Sequence, residues 1–288
     1  MRSSDVVAVH RAAGREFDAA GVRSFVREQS GGEAVVCMHG VPASCFLYRK
    51  LLAELADRGL RGVAFDLPGL GLASRPDQFD YSWTGLGRFG AAAVDALALE
   101  RFHLVVHDIG GPVGFELAAA MPDRILSLTI LNTIIEVEGS RRPWMMEPFA
   151  WRGVGEVWLA SMTAPVFRGL MYYAGIKDRS ATSAAELAAY LQLLKREDGG
   201  RAFLKIMRGF ERTAAKQALY TQVVRAVERV QVVWGADDPT LKLSVYGEQA
   251  RRVAGVETIH TVPAKHFLQE DQAPVLADRI AGLAESHR

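Results

Sequence analysis

The chain has 288 residues, 49% of them hydrophobic, enough for one large domain, or one domain carrying an insertion, around a sizeable core. With 34 Lys and Arg against 33 Asp and Glu the formal net charge is +1, which removes the electrostatic case for nucleic acid or a membrane surface as partner. Two cysteines, Cys37 and Cys45, exclude a disulfide framework, and Cys37 falls within a strand pattern, where a thiol acts as a small buried hydrophobe.

Met1 to Ala20 is charged and has no continuous apolar run, so no secretory signal is visible, and nothing later in the chain is apolar for long enough to span a bilayer. A cytoplasmic protein, monomer or homodimer, is expected. No internal repeat or low-complexity tract interrupts the chain. Residues 22–28 alternate apolar and polar like a half-buried strand, and Gly31-Gly32 turns the chain. Ala34 to Met38 is a buried strand ending in His39-Gly40-Val41-Pro42, followed by a helix pattern from Phe46 to Arg58. Arg61 to Phe65 is another strand, closing on Asp66-Leu67-Pro68-Gly69-Leu70-Gly71. That loop lacks a third glycine and opens no helix directly, which sets it apart from a phosphate-binding fingerprint. Thr84 to Ala98 reads as a helix, Phe102 to Val106 as a buried strand, and Leu126 to Leu131 as a further strand ending at Asn132. Strands alternating with helices imply an α/β architecture, with a mostly parallel sheet covered on both faces.

The alternation stops after Thr133. Residues 134–213 are helical in pattern and rich in Trp, Met, Tyr and Phe, which predicts a helical lid over the C-terminal edge of the sheet with an apolar pocket beneath it. Core packing accounts for any single aromatic there; the collective excess is what points to a pocket. The alternation resumes with a helix over 214–227, a strand Val230 to Trp234 ending in Gly235-Ala236-Asp237-Asp238-Pro239, and a helix over 243–253. A last strand, Glu257 to Val262, leads to Pro263-Ala264-Lys265-His266-Phe267-Leu268-Gln269-Glu270-Asp271, and an amphipathic helix ends the chain. The division is therefore 1–133 and 214–288 as core, with 134–213 as lid.

The chemistry centres on Val105-Val106-His107-Asp108-Ile109-Gly110-Gly111-Pro112. A strand that breaks sharply and re-enters as a helix needs residues without bulk at the turn, and it holds the apex residue out at the sheet edge. The apex is Asp108, where Ser is more usual. An N-capping Asp would look similar on its own. A carboxylate attacking an ester or amide would yield a mixed anhydride, whereas attack on a saturated carbon with a leaving group yields an ester that water can cleave. That favours carbon–halogen or epoxide opening. Asp108, Asp238 and His266 follow three strand ends in the order nucleophile, acid, His, and such ends converge at one edge of an α/β sheet. Asp238 would hold the His266 imidazole, and His266 would act as base toward water. Asp237 is the neighbouring candidate; Pro239 fixes a turn beneath Asp238 and favours it. The backbone N–H groups of Val41 and Ile109 should face the oxyanion of ester hydrolysis.

With these motifs the chain resembles the α/β-hydrolase superfamily, in the branch of haloalkane dehalogenases and epoxide hydrolases, over nearly its whole length. The Asp-x-Gly-Gly-Pro and His-Phe-Leu-Gln-Glu-Asp segments are closer to haloalkane dehalogenases; His107 before the apex is more like epoxide hydrolases. Some dehalogenases place a Glu at the end of the strand before the lid, where this chain has Asn132, which agrees with the acid at Asp238. The resemblance further implies a halide held by a Trp after the nucleophile and by an Asn or a lid Trp, yet this chain has Ile109 and Val41, and an Ile side chain donates no hydrogen bond. Trp158 or Trp151 could supply one donor. Epoxide hydrolases use two lid tyrosines as proton donors; Tyr172, Tyr173 and Tyr190 are the candidates, although Lys205-Ile206-Met207-Arg208 occupies the usual second segment. A fluoroacetate-type dehalogenase would carry an Arg after the nucleophile, which Ile109 replaces. The expected function is a haloalkane dehalogenase-like hydrolase of small apolar substrates, with an epoxide hydrolase as alternative and a non-catalytic ligand-binding module or an esterase further behind. No histidines pair with carboxylates at i, i+4 spacing, so neither metal nor organic cofactor is expected.

Overall fold

The computed structural model describes residues 2–29 and 31–285. Eight strands form one sheet: β1 (Arg15–Ala19), β2 (Val22–Glu28), β3 (Ala34–Met38), β4 (Arg61–Phe65), β5 (Phe102–Asp108), β6 (Ile125–Thr133), β7 (Val230–Gly235) and β8 (His260–Val262). Their order is β1-β2-β4-β3-β5-β6-β7-β8. The pairs β1/β2 and β2/β4 are antiparallel and the remaining pairs parallel. The pattern of side chains follows the pairing. Every residue of β3 is buried, as are the first six of β5, because helices cover both faces of the parallel part; edge strand β1 alternates exposed and buried.

The expected elements recur with shifted ends. The pattern over 46–58 resolves into a 3-10 turn Cys45–Tyr48 and a helix Arg49–Asp57. The pattern over 243–253 divides into a π-helical turn Leu243–Gly247 and a helix Glu248–Ala254, and the last strand keeps only His260–Val262. The charged N-terminal stretch holds a helix, Ser3–Ala12, and β1, which sequence periodicity did not reveal; within that helix only Val6 and His10 are buried. Cys37 and Cys45 are both buried free thiols. Among the described residues no helix is long and apolar enough to cross a membrane.

Between β6 and the helix Ala214–Ala226 the described residues form no strand. They contain the helices Val154–Ser161, Ala164–Leu170, Ala184–Lys195 and Arg201–Arg208, with short turns Glu147–Ala150 and Met171–Gly175. This excursion leaves the C-terminal end of β6, the edge at which β3, β5 and β7 also end.

Candidate active site

Asp108 is the last residue of β5, and the next helix, Gly110–Ala120, starts two residues later. The reversal is possible because Asp108 takes φ +52°, a left-handed conformation that non-glycine residues rarely adopt, and because Gly110 packs where a Cβ would lie 2.3 Å from the Met38 carbonyl. Gly40 lets the loop after β3 approach from the other side: a Cβ there would stand 2.1 Å from Asp108 Oδ1. The Val41 N–H donates to Asp108 Oδ1 at 2.7 Å, and the Ile109 amide also acts on this carboxylate. His39 fixes the approaching loop. Its Nε2 accepts from Leu67 N–H at 3.0 Å, so Nδ1 carries the proton and donates to the Gly40 carbonyl at 3.0 Å.

The three predicted side chains meet at one edge of the sheet. His266 Nδ1 donates to Asp238 Oδ2 at 2.8 Å, and its Nε2 lies 3.4 Å from Asp108 Oδ2. Asp238 is immobilised. Its Oδ1 accepts from Thr240 N–H (2.7 Å), Thr240 O–H (2.6 Å) and Leu241 N–H (3.0 Å), and its Oδ2 accepts from Asn132 Nδ2 (2.6 Å). Asn132 is oriented in turn by the Gly235 N–H, which donates to its Oδ1 at 2.9 Å. Asp237 instead points outward and pairs with Lys177 at 2.6 Å. His107 donates from Nε2 to the His266 carbonyl at 2.7 Å, with its ring 4.7 Å from the His266 ring.

Electrostatics follow from this packing. Burial would depress the His266 pKa, yet the charges and hydrogen bonds of Asp238 and Asp108 prevail and push it up to about 10. Burial would raise Asp108 and Asp238, and the His266 proton outweighs it, holding both below the usual carboxylate range. Burial, then the neighbouring His266 charge, lowers His107 to about 3, so its ring stays neutral as a donor to the His266 carbonyl.

Asp108 and His266 open into a cavity walled mainly by apolar side chains such as Met145, Phe149, Phe167 and Phe203. Val41, Ile109 and Trp158 also line it. The Trp158 indole N–H is already engaged, donating to the Met145 carbonyl at 3.0 Å. The other aromatic donors expected from sequence are not among the lining residues. Trp151 and Tyr173 are more than half exposed, and Tyr172 packs against the core edge with Arg179 over its ring. Tyr190 is buried away from the cavity, donating to Glu270 Oε1 at 2.6 Å. Helical aromatic periodicity could not distinguish these faces. Sequence reasoning also passed over Asn132 and Thr240 as Asp238 partners; their position one strand away and two residues after the acid was the available signal.

A second buried cluster, His10, Cys45 and Asp66, gathers within 4.8 Å. Asp66 already accepts from the Cys45 and Leu72 amides, and the Arg27 guanidinium sits 3.3 Å from His10 Nδ1. A cation beside the ligand atoms and a committed carboxylate make this a packing network and a poor home for a metal ion.

A family model described as the alpha/beta hydrolase fold matches residues 33–273. The chain belongs to the α/β-hydrolases. This α/β-hydrolase is 26% identical over 281 residues to an uncharacterized hydrolase of Saccharomyces cerevisiae, covering 91% of this chain and 93% of that protein. It is 27% identical over 255 residues to a haloalkane dehalogenase of Mycolicibacterium paratuberculosis, covering 86% of this chain and 82% of that protein. Among solved structures, the epoxide hydrolase CorEH shares the fold with a TM-score of 0.79 at 18% identity, over 96% of this chain and 99% of that one. These likenesses make the protein an enzyme of hydrolase type, as the motifs implied.

Proposed function

We propose that this α/β-hydrolase cleaves carbon–halogen bonds in small apolar molecules through a covalent ester on Asp108, with residues 134–213 as lid over a core of 1–133 and 214–288. The observation that carries the reading is the His266 imidazole held between two carboxylates, 2.8 Å from Asp238 and 3.4 Å from Asp108. In the first step Asp108 Oδ2 attacks the carbon, the new C–O bond forms, and the C–X electron pair leaves with the halide. Esterification removes the Asp108 charge, one of the two anions that raise His266. The imidazole then gives up its proton more readily and becomes a base. His266 Nε2 takes a proton from water, whose oxygen adds to the Asp108 carboxyl carbon. The Val41 and Ile109 amides stabilise the oxyanion. Collapse expels the alkoxide, which leaves as alcohol with the water's second proton, and His266 releases its proton to solvent. The sum is RX + H₂O → ROH + HX.

The choice of halide over epoxide rests on the leaving group. An opening epoxide needs a proton at oxygen, and among the described residues no tyrosine lines the cavity. A halide departs as a stable anion and needs none. The dehalogenase named among the relatives, matched along most of both chains, supports the same choice.

The test is His266→Gln incubated with 1-bromobutane or with styrene oxide, followed by intact mass and peptide mapping. A butyl adduct on Asp108 from the bromide alone is expected. A hydroxyalkyl adduct from the epoxide would replace this reading by the epoxide hydrolase one. No adduct from either, on a folded protein, would mean that these substrate classes are wrong or that Asp108 is not a nucleophile.

A further inference from the structure

Arg141, Arg142 and Arg212 line the mainly apolar cavity that Asp108 and His266 face. Arg142 is the unusual one, because its side chain is only 8% exposed. One of its NH₂ groups donates to the Met207 carbonyl at 2.8 Å, its Nε–H is buried without a partner, and its other NH₂ group lies 3.8 Å from Glu147, beyond hydrogen-bond reach. The guanidinium is stacked 4.6 Å from the Phe210 ring centroid, and Phe210 rests on Trp83 at 5.0 Å, so the group is pre-oriented. Arg212 donates to the Ser140 carbonyl at 2.6 Å, and among the described residues no carboxylate pairs with it. The two cations stand close enough that Arg212, after burial, is the next influence lowering the Arg142 pKa.

Glu147, 3.8 Å away, compensates Arg142 only in part. A buried guanidinium normally finds a carboxylate and satisfies its five donors, and two like charges on one dry wall repel. A single anion between them would relieve both defects. We infer that the cavity takes amphipathic substrates with a carboxylate on an apolar chain, the carboxylate seated on Arg142 and Arg212 and the chain along the Met and Phe wall. The planar donor fork suits a two-oxygen anion better than a spherical halide. Ile109 after the nucleophile excludes an arginine at that place; here the cationic recognition comes from the irregular segments at the two ends of the helical excursion. The inference narrows the substrates of the site proposed above from small apolar molecules to apolar chains that end in a carboxylate; it rests on that reading for the reaction but not for binding.

The experiment is calorimetric binding to the wild-type protein of octanoate, of its neutral isostere octanamide and of bromide, repeated with Arg142→Gln and Arg212→Gln. None of these probes reacts with Asp108, so a failure of the ester chemistry leaves the result intact. Octanoate should bind at least about ten-fold tighter than octanamide, a margin expected of charge-assisted hydrogen bonds. Each substitution should erase most of that preference and leave octanamide unchanged. Arg212 is only partly buried, so Arg212→Gln keeps the test valid if Arg142→Gln melts early. Equal binding of octanoate and octanamide, or a preference that survives Arg212→Gln, overturns the inference. Bromide binding that disappears in the variants while the octanoate preference persists would assign the arginines to the leaving halide and overturn it equally.

Discussion

Replacing Asp238 by Asn changes one atom and should stall the enzyme halfway. Oδ1 of Asp238 receives three donors, two of them the fixed backbone amides of Thr240 and Leu241. In Asp238→Asn the amide oxygen must occupy that place, which turns the NH₂ toward the Oδ2 position. There it meets Asn132 Nδ2 and His266 Nδ1, both donors to the native carboxylate. Asn132 has no escape by flipping, because its own oxygen accepts from Gly235 N–H. The imidazole does have one: it moves its proton to Nε2 and accepts at Nδ1. That tautomer presents N–H to the Asp108 side and no lone pair to water. Alkylation of Asp108 needs no base and should proceed, whereas ester hydrolysis should fall on the order of 10³–10⁴-fold, the scale of a wrong tautomer in a related triad. That loss corresponds to about 4–5.5 kcal/mol of barrier. The unmatched Asn132 donor should cost about 1–3 kcal/mol of stability. Rapid-quench halide release should show one equivalent in a burst and then almost nothing, with the butyl adduct visible by mass. Steady turnover within ten-fold of wild type, or a burst lost together with turnover, would refute the tautomer argument.

Gly40→Ala places a methyl 2.1 Å from Asp108 Oδ1, so the loop or the carboxylate must move; a displacement near 1 Å should lower the alkylation rate by about 10²-fold or more, measured as the burst rate. Glu270→Gln removes a fully buried carboxylate that pairs with Arg49 and Lys50 and accepts from Tyr190, leaving Arg49 with Glu186 alone; denaturant unfolding should show a loss of about 3 kcal/mol, the low end for a broken buried pair. The pH profile of stability has two limbs. His266 is raised from 6.5 to about 10, so its contribution is whole below 6.5 and is lost as pH climbs through 10. Asp108 and Asp238 are lowered, so theirs is present above the ordinary value of 3.8 and is lost as pH falls through their depressed values. Thermal unfolding across pH should therefore decline above pH 6.5 in wild type and flatten there in His266→Gln; an unchanged alkaline limb in the variant would contradict the assignment.

What could be read in the sequence, and what could not, follows from how each position is determined. Asp108, Asp238 and His266 were legible because each ends or closely follows a strand, two of them buried, and a parallel sheet brings such ends to one edge whatever the rest of the chain does. The Asp108 turn adds a local demand for small residues that glycines at 110 and 111 answer. No such rule governs the residues above that edge. Tyr190 and Trp158 sit in helices of similar aromatic content, yet one turns inward to Glu270 and the other to the cavity, since short helices packed on two sides have no single polar face. Arg142 and Arg212 lie in segments without regular structure, where no periodicity predicts direction, and a charged residue reads as solvated by default. Their placement is fixed by tertiary partners: a ring at 210, the carbonyls of residues 207 and 140, and the carboxylate of Glu147. The proposed reaction thus rests on side chains that sheet topology brings together, which sequence patterns encode, and the proposed substrate choice on loop packing, which they do not. Chains that share the triad edge can diverge in substrate through two or three side chains on this wall without disturbing a strand.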